Sequence, residues 1–288
     1  MKLLELLKNI TLEKELNKAD LHTHTVYSDG RLKPEELLDL QIKAGNDVLA
    51  VTDHDTVGGA VEAAEIADPK KIKVIIGCEF SSGYEGNEVH ILGYGLDPDA
   101  PALKDFLTKN RDNRLIRAEG IVSKLNDLGY GISFDDMMQK VKAEAVGRPH
   151  IAAQLLEEGY VETYKEAFYK LLADRKPAYI ERKKFSYSEV LDIIKKSGGI
   201  SSLAHPEKNL GRTKLYDFVK EGLNAIEVIH PVESPHQTQQ LRMKARQFGL
   251  LQTGGSDFHG IKDYEWDNVG RYVLNKEHIE KLVKRINA

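Results

Sequence analysis

Asp20-Leu21-His22-Thr23-His24 closes a short strand-like run near the start of the chain, and Thr52-Asp53-His54-Asp55 closes the next. In an extended segment residues i and i+2 project to the same side. His22 and His24 therefore aim two imidazoles at one point, as a metal ion requires. Outward from these stretches, apolar runs alternate with amphipathic helical ones. Strands are expected at Ala19–Leu21, Asp47–Thr52, Ile72–Ile76 and Glu88–Tyr94, with helices at Pro34–Ala44 and Val57–Ala67. Proline in the first turn favours the start of the first helix. Strands alternating with helices predict a mostly parallel sheet.

The rhythm changes near residue 100. Ala102–Leu128, Phe134–Lys142, Pro149–Glu158 and Glu162–Ala173 all read as helical. Residues 100–180 are thus expected to be a helical insertion that forms part of the substrate pocket, with 1–99 and 181–288 making the metal-binding unit. Alternation resumes with helices at Ser188–Ser197, Lys214–Glu221 and Pro235–Phe248. The strands expected between and after them are Gly199–Ala204, Ala225–Ile229 and Leu250–Thr253. About seven strands result, which predicts an α/β fold: a distorted seven-stranded (β/α) barrel, closed or nearly so. Such a barrel carries its active site at the carboxyl ends of its strands. His22, His24, His54, Glu79, His205, Asp257 and His259 fall at those ends, whereas His90 sits inside its expected strand.

The chain has 288 residues, enough to bury a large core. A net charge of −4 argues against a surface built to hold long DNA by charge. Cys78 is the only cysteine, so any metal must be held by nitrogen and oxygen. Residues 1–16 are leucine-rich but interrupted by Lys2, Glu5, Lys8 and Glu13, and read as an amphipathic surface helix, not a signal peptide. No stretch is long and apolar enough to span a membrane, and a cytoplasmic protein is the expectation.

Nine donors stand out: His22, His24, Asp29, His54, Glu79, His90, His205, Asp257 and His259. As borderline-to-hard nitrogen and oxygen ligands they suit zinc, manganese or ferrous iron, and of these manganese is the expected metal. Nine exceed what one ion needs, so two or three divalent ions sharing one pocket are expected. Adjacent ions clamp the attacking and leaving oxygens of a displacement at phosphorus.

Asp20–His24, Ser28-Asp29-Gly30, Thr52–Asp55, Gly77-Cys78-Glu79, His90–Tyr94, Ala204-His205-Pro206 and Gly255–His259 together resemble the PHP (polymerase and histidinol phosphatase) family. The resemblance is nearest to its stand-alone phosphoesterases acting on 3′,5′-bisphosphonucleotides and the 5′ ends of short RNA. It implies one metal on His22, His24, Glu79 and Asp257, a second on Asp29, His54 and His259, and a third on Glu79, His90 and His205. Asp29 stands where some members have histidine. Asp20 and Asp53 would orient imidazoles from outside the coordination sphere. Glu79 and Asp257 carry the catalytic assignment, with a metal-bridging hydroxide attacking phosphorus. Arg148 and His150, in Gly147–Ile151, are the expected substrate contacts, since a guanidinium at a helix start is a ready phosphate clamp.

Arg182-Lys183-Lys184 would either add positive charge or form a solvated turn. Arg111, Arg114 and Arg117 read as a solvated helix face, and His278 as solvated. His230 and His236 match no ligand position. Histidinol phosphate hydrolysis is the rival substrate assignment. An amidohydrolase with the same His-x-His strand is a second class, and a non-catalytic metal- or polymerase-binding module a third.

Overall fold

The computed structural model describes residues 16–140, 144–206 and 214–288. The amphipathic helix expected at the start of the chain lies outside them, except for its final position. Nine strands among the described residues form one sheet. They are β1 (Lys18–Asp20), β2 (Val48–Val51), β3 (Lys73–Tyr84), β4 (Asn87–Tyr94), β5 (Phe185–Ser186), β6 (Ile200–Leu203), β7 (Ala225–Ile229), β8 (Leu251–Gly254) and β9 (Leu274–Asn275).

Seven of these run in the order β8-β7-β6-β4-β3-β2-β1, while the two-residue strands β5 and β9 attach to β3 and β1. The outer two of the seven meet just beyond their ends. The Leu21 amide donates to the Gly254 carbonyl at 3.1 Å, Asp257 to His22 at 2.9 Å and His24 to Phe258 at 2.9 Å. Those bonds bring the sheet round into the expected barrel. Gly255 permits the approach, because a Cβ there would stand 2.4 Å from the His22 amide nitrogen.

Period-two packing gives each strand two buried faces. Leu49 and Val51 of β2 join the outer apolar cluster, and Val48 and Ala50 join the inner one. The outer cluster is covered by helices α1 (Pro34–Lys43), α2 (Gly58–Ile66) and the start of α3 (Pro101–Asp127).

The insertion continues with α4 (Phe134–Lys140), α5 (Arg148–Glu157) and α6 (Tyr164–Ala167). It packs around an apolar cluster of its own that includes Ile121, Leu125, Ile151, Leu155 and Leu172. The single helix expected at Glu162–Ala173 is instead α6 followed by a π-helical turn, Phe168–Leu172.

Beyond the insertion come α7 (Tyr187–Lys196), α8 (Leu215–Lys220), α9 (Pro235–Phe248), α10 (Asp263–Asn268) and α11 (Lys276–Ile286). Reciprocal Ser186–Glu189 bonds cap the start of α7, and left-handed Gly249 ends α9. Ile279, Leu282 and Val283 of α11 close the inner cluster from the amino end of the barrel, leaving the carboxyl end for the site.

One departure bears on chemistry. β3 was expected to stop before Glu79, yet it runs on to Tyr84 and turns back as β4 in an antiparallel pair. The amino half of β4 therefore lies beside the carboxyl half of β3. That reversal brings His90 to the site although it precedes the middle of its strand.

Candidate metal centre

A cavity of about 620 Å³ opens at the carboxyl end of the barrel. Seven of the nine donors line it, and His22 and His24 lie beneath its floor, fully buried. Apart from Asp29, which sits in the turn of the loop after β1, each donor comes from a strand or the segment that follows it. The loop after β1 is pinned by Asp53, which accepts from the Thr25 amide at 2.7 Å, the Thr25 hydroxyl at 2.6 Å and the Ser28 hydroxyl at 2.6 Å. Asp20 accepts from the Ser256 amide at 2.9 Å and its hydroxyl at 2.6 Å, which holds the β8 extension against His22. Asp20 and Asp53 thus fix backbones and hydroxyls and do not bond the imidazoles they were expected to orient.

Glu79 is the hub. Its Oε2 lies 3.3 Å from His22 Nε2, 3.3 Å from His24 Nε2 and 3.1 Å from His54 Nδ1. Its Oε1 lies 2.9 Å from His90 Nδ1 and 3.0 Å from His205 Nε2. Asp257 Oδ1 stands 3.3 Å from both His22 and His24 Nε2. Asp29 lies 3.4 Å from His259 Nε2 and 3.9 Å from His54 Nε2. A tetrahedron with ligand bonds of about 2.0–2.2 Å has edges of about 3.3–3.6 Å. The His22–His24–Glu79–Asp257 separations match such an edge. His22 Nε2, His24 Nε2 and His54 Nδ1 are buried without a hydrogen-bond partner. Burying polar atoms unbonded is costly, and a cation among them removes the cost. The donor set fits divalent metal ions, in groups that share Glu79 and His24.

Electrostatics agree. Burial alone would raise Glu79, but His54, His22 and His90 hold it well below the usual carboxylate range. Burial likewise opposes ionisation of Asp257 and Asp29, and their histidine neighbours reverse it. His54 is pushed down to about 4 by burial, against the pull of Glu79 and Asp29, so it is neutral and ready to ligate. Asp55, His205 and Asp257 adopt left-handed backbone conformations at φ 54°, 27° and 51°. Strain of this kind gathers at functional sites.

The two expected substrate contacts stand apart from the cavity lining. Arg148 Nη1 donates to the Leu172 carbonyl at 3.2 Å and to Asp174 at 3.0 Å. His150 Nε2 donates to the Ser28 carbonyl at 2.8 Å, next to Asp29. Arg114, expected on a solvated face, is instead folded inward onto Asp55. Arg182 joins it, 2.7 Å from the same carboxylate and 2.8 Å from Asn110 Oδ1. Pairing there compensates two cations for the loss of water.

One residue escaped the sequence reading, and another was named in it without a ligand position. Glu227 accepts from His22 Nδ1 at 3.0 Å and from the His205 amide at 2.7 Å, the orienting role given to Asp20. An acid inside the apolar run Ala225–Ile229 was the available signal, since it is expensive there unless paired. His230, buried and lining the cavity, follows the same strand as the other histidines follow theirs.

A family model described as the PHP domain matches residues 20–200. The 3′,5′-nucleoside bisphosphate phosphatase of Chromobacterium violaceum is 35% identical over 246 residues, covering 83% of this chain and 86% of that one. The 5′-3′ exoribonuclease Rnm of Salmonella typhimurium is 34% identical over 260 residues, 88% of each chain. A solved structure from Bifidobacterium adolescentis, assigned to the metal-dependent phosphoesterases, superposes with a TM-score of 0.84 at 30% identity. It covers 93% of this chain and 96% of that one.

Proposed function

Since the chain belongs to the PHP domain family and is a metal-dependent phosphoesterase, we propose that its substrates are 3′,5′-bisphosphonucleotides and the 5′ ends of short RNA. The observation that carries the catalytic part is the Glu79 carboxylate set among five imidazoles, its two oxygens facing different groups of donors. In this proposal His22, His24, Glu79 and Asp257 hold one divalent ion, Asp29, His54 and His259 a second, and Glu79, His90 and His205 a third. Manganese is the first choice. When bound, the ions supply charge neutralisation at the phosphoryl oxygens and acidify water.

Charge explains why a phosphate substrate needs them. Of the described residues lining the cavity, Asp29, Glu79, Glu88, Asp257 and Glu265 are acidic, and Lys262 alone is a lysine or arginine. A phosphate would be repelled by the protein's own side chains. Glu79 bridges and fixes the spacing of the donors, and Asp257 turns one oxygen to the histidines. Tyr164, from the insertion, and Tyr264, from α10, line the cavity, and aromatic side chains are the usual stacking partners of a nucleobase. The relatives named above, a nucleotide phosphatase and an exoribonuclease, support the nucleotide reading.

Arg148 and His150 are proposed to serve the substrate from the insertion. For Arg148 this means leaving Asp174, a largely exposed carboxylate whose hold is weak. His150 would act through Ser28 on the loop that carries Asp29.

The test is a hydrolysis screen with manganese that reads phosphate release from bisphosphonucleotides and histidinol phosphate and nucleotide release from short 5′-phosphorylated RNA. Highest kcat/KM on the bisphosphonucleotides and the RNA is expected. Preference for histidinol phosphate would replace the nucleotide assignment and leave the phosphoesterase class standing.

A further inference from the structure

The segment that leaves the insertion, residues 179–184, runs from a group of arginines to the cavity wall. At its start Arg117 of α3 donates from Nε to the Ile180 carbonyl at 2.8 Å. The Arg117 guanidinium lies 5.8 Å from the centre of the Tyr179 ring, and that of Arg148 lies 5.8 Å from the same ring. Further along, Arg182 is buried against Asp55. At the end, Lys184 Nζ stands 3.7 Å from Glu88, which lines the cavity. Ile180 and Lys184 are four positions apart, so their Cα atoms are separated by no more than about 14 Å.

Positive charge outnumbers negative along this seam. Asp55 is already shared by Arg114 and Arg182. Arg148 holds only Asp174, which is 72% exposed. The described residues offer the Arg117 Nη groups no carboxylate and no hydrogen bond. Arg182 Nε is buried without a partner as well. Burial and the like charges of Arg148 and Arg182 push Arg117 down to about 10. Gathering cations without matching acids costs free energy, and an anion seated among them removes that cost. A guanidinium with free N–H groups is suited to phosphate, which it grips through two parallel bonds.

We propose that Arg117 and Arg148 bind a phosphate of the substrate other than the one hydrolysed: the second phosphate of a bisphosphonucleotide, or the next phosphodiester of an RNA. Within the cavity the acidic lining and the single Lys262 leave that second phosphate poorly matched, whereas the seam beside Glu88 holds cations without partners. Arg117 is then a specificity-determining residue, because it grips a group that a simple phosphate ester lacks. The inference rests on the nucleotide reading of the substrate given above.

Arg117→Ala and Arg117→Lys are compared with the parent for manganese-dependent hydrolysis of adenosine 3′,5′-bisphosphate and of p-nitrophenyl phosphate. Binding of adenosine 5′-monophosphate to the metal-free chain is followed by calorimetry. Without ions the acidic cavity repels phosphate, so the arginines are the site left for the monophosphate. In Arg117→Ala, kcat/KM on the bisphosphate should fall about ten- to a hundredfold, mostly through KM. The monophosphate should bind more weakly by a like factor, the single-phosphate ester should lose far less, and lysine should recover part. Equal losses on the two substrates would place Arg117 at the reacting phosphate or in the fold, and overturn the proposal. So would monophosphate binding that is absent in the parent or unchanged in Arg117→Ala. A parent inert toward bisphosphonucleotides would fault the substrate reading, while monophosphate binding still decides Arg117.

Discussion

Glu79 and His90 are diagonal neighbours on the antiparallel β3–β4 pair, and Glu79 Oε1 lies 2.9 Å from His90 Nδ1. Because the other Glu79 oxygen faces His22, His24 and His54, one carboxylate serves two donor groups. Glu79→Gln should therefore empty more than one position and abolish turnover with the fold retained. Metal analysis and circular dichroism on one preparation check this. Full metal occupancy in a folded variant would remove Glu79 from the centre.

Glu227 touches no cavity surface but accepts from His22 Nδ1 at 3.0 Å. Loss of such an outer partner weakens metal affinity by about 10–100-fold. Glu227→Gln should show that loss in a metal titration, with kcat at saturating metal much less affected. Unaltered affinity would leave Glu227 a purely structural acid.

Proton release on metal loading follows from two histidines. Burial disfavours their charge, yet Glu79 and Glu88 lift His90 to about 10, and Asp29 and Asp257 do the same for His259. Both hold protons near neutrality until a metal displaces them. Affinity should accordingly fall as pH falls, by about tenfold per pH unit for each proton displaced. Calorimetry in buffers of different ionisation enthalpy counts the protons. None released near neutral pH would contradict the assignment.

Asp55 joins the barrel to the insertion through Arg114 and to the segment just beyond the insertion through Arg182. Burial would raise its pKa, but the two guanidiniums and the Ser81 amide hold it well below the usual carboxylate range. Asp55→Asn leaves two inward cations uncompensated and should cost about 3–5 kcal/mol in denaturant unfolding. A depressed carboxyl stabilises the fold fully above its unfolded value of about 4, and that contribution drains away as pH falls below it. The gap between parent and variant should narrow in acid. A constant gap down to the acid limit would mean that the carboxylate charge is not its source.

Arg148→Ala, if the guanidinium reaches substrate phosphate, removes a contact of about 1.5–3 kcal/mol. That is roughly ten- to a hundredfold in kcat/KM, with metal content unchanged and Lys restoring only part. A lower melting temperature with normal kinetics would instead assign Arg148 to packing against Leu172, Asp174 and Tyr179.

Much of this protein was legible one residue at a time. Period-two and helical patterns located the seven barrel strands, because local propensity and two-sided burial act over a few neighbours. The candidate metal donors stood out as carboxylates and imidazoles, most of them at strand ends, where packing alone does not call for them. The sequence could not tell that β4 runs backwards, since strand direction depends on partners and not on residue pattern. His90 therefore looked misplaced until β3 and β4 were seen as a hairpin. Nor could it assign inside and outside on α3: Arg114 reads as solvated until Asp55, 59 positions away, is found beneath it. The same holds for Glu227 and His22, separated by 205 positions. The sequence by itself determined which atoms were available to hold a metal, because ligand chemistry belongs to the side chain. Only the tertiary structure decided which of them meet, because barrel closure between β8 and β1 is a contact between the two ends of the chain.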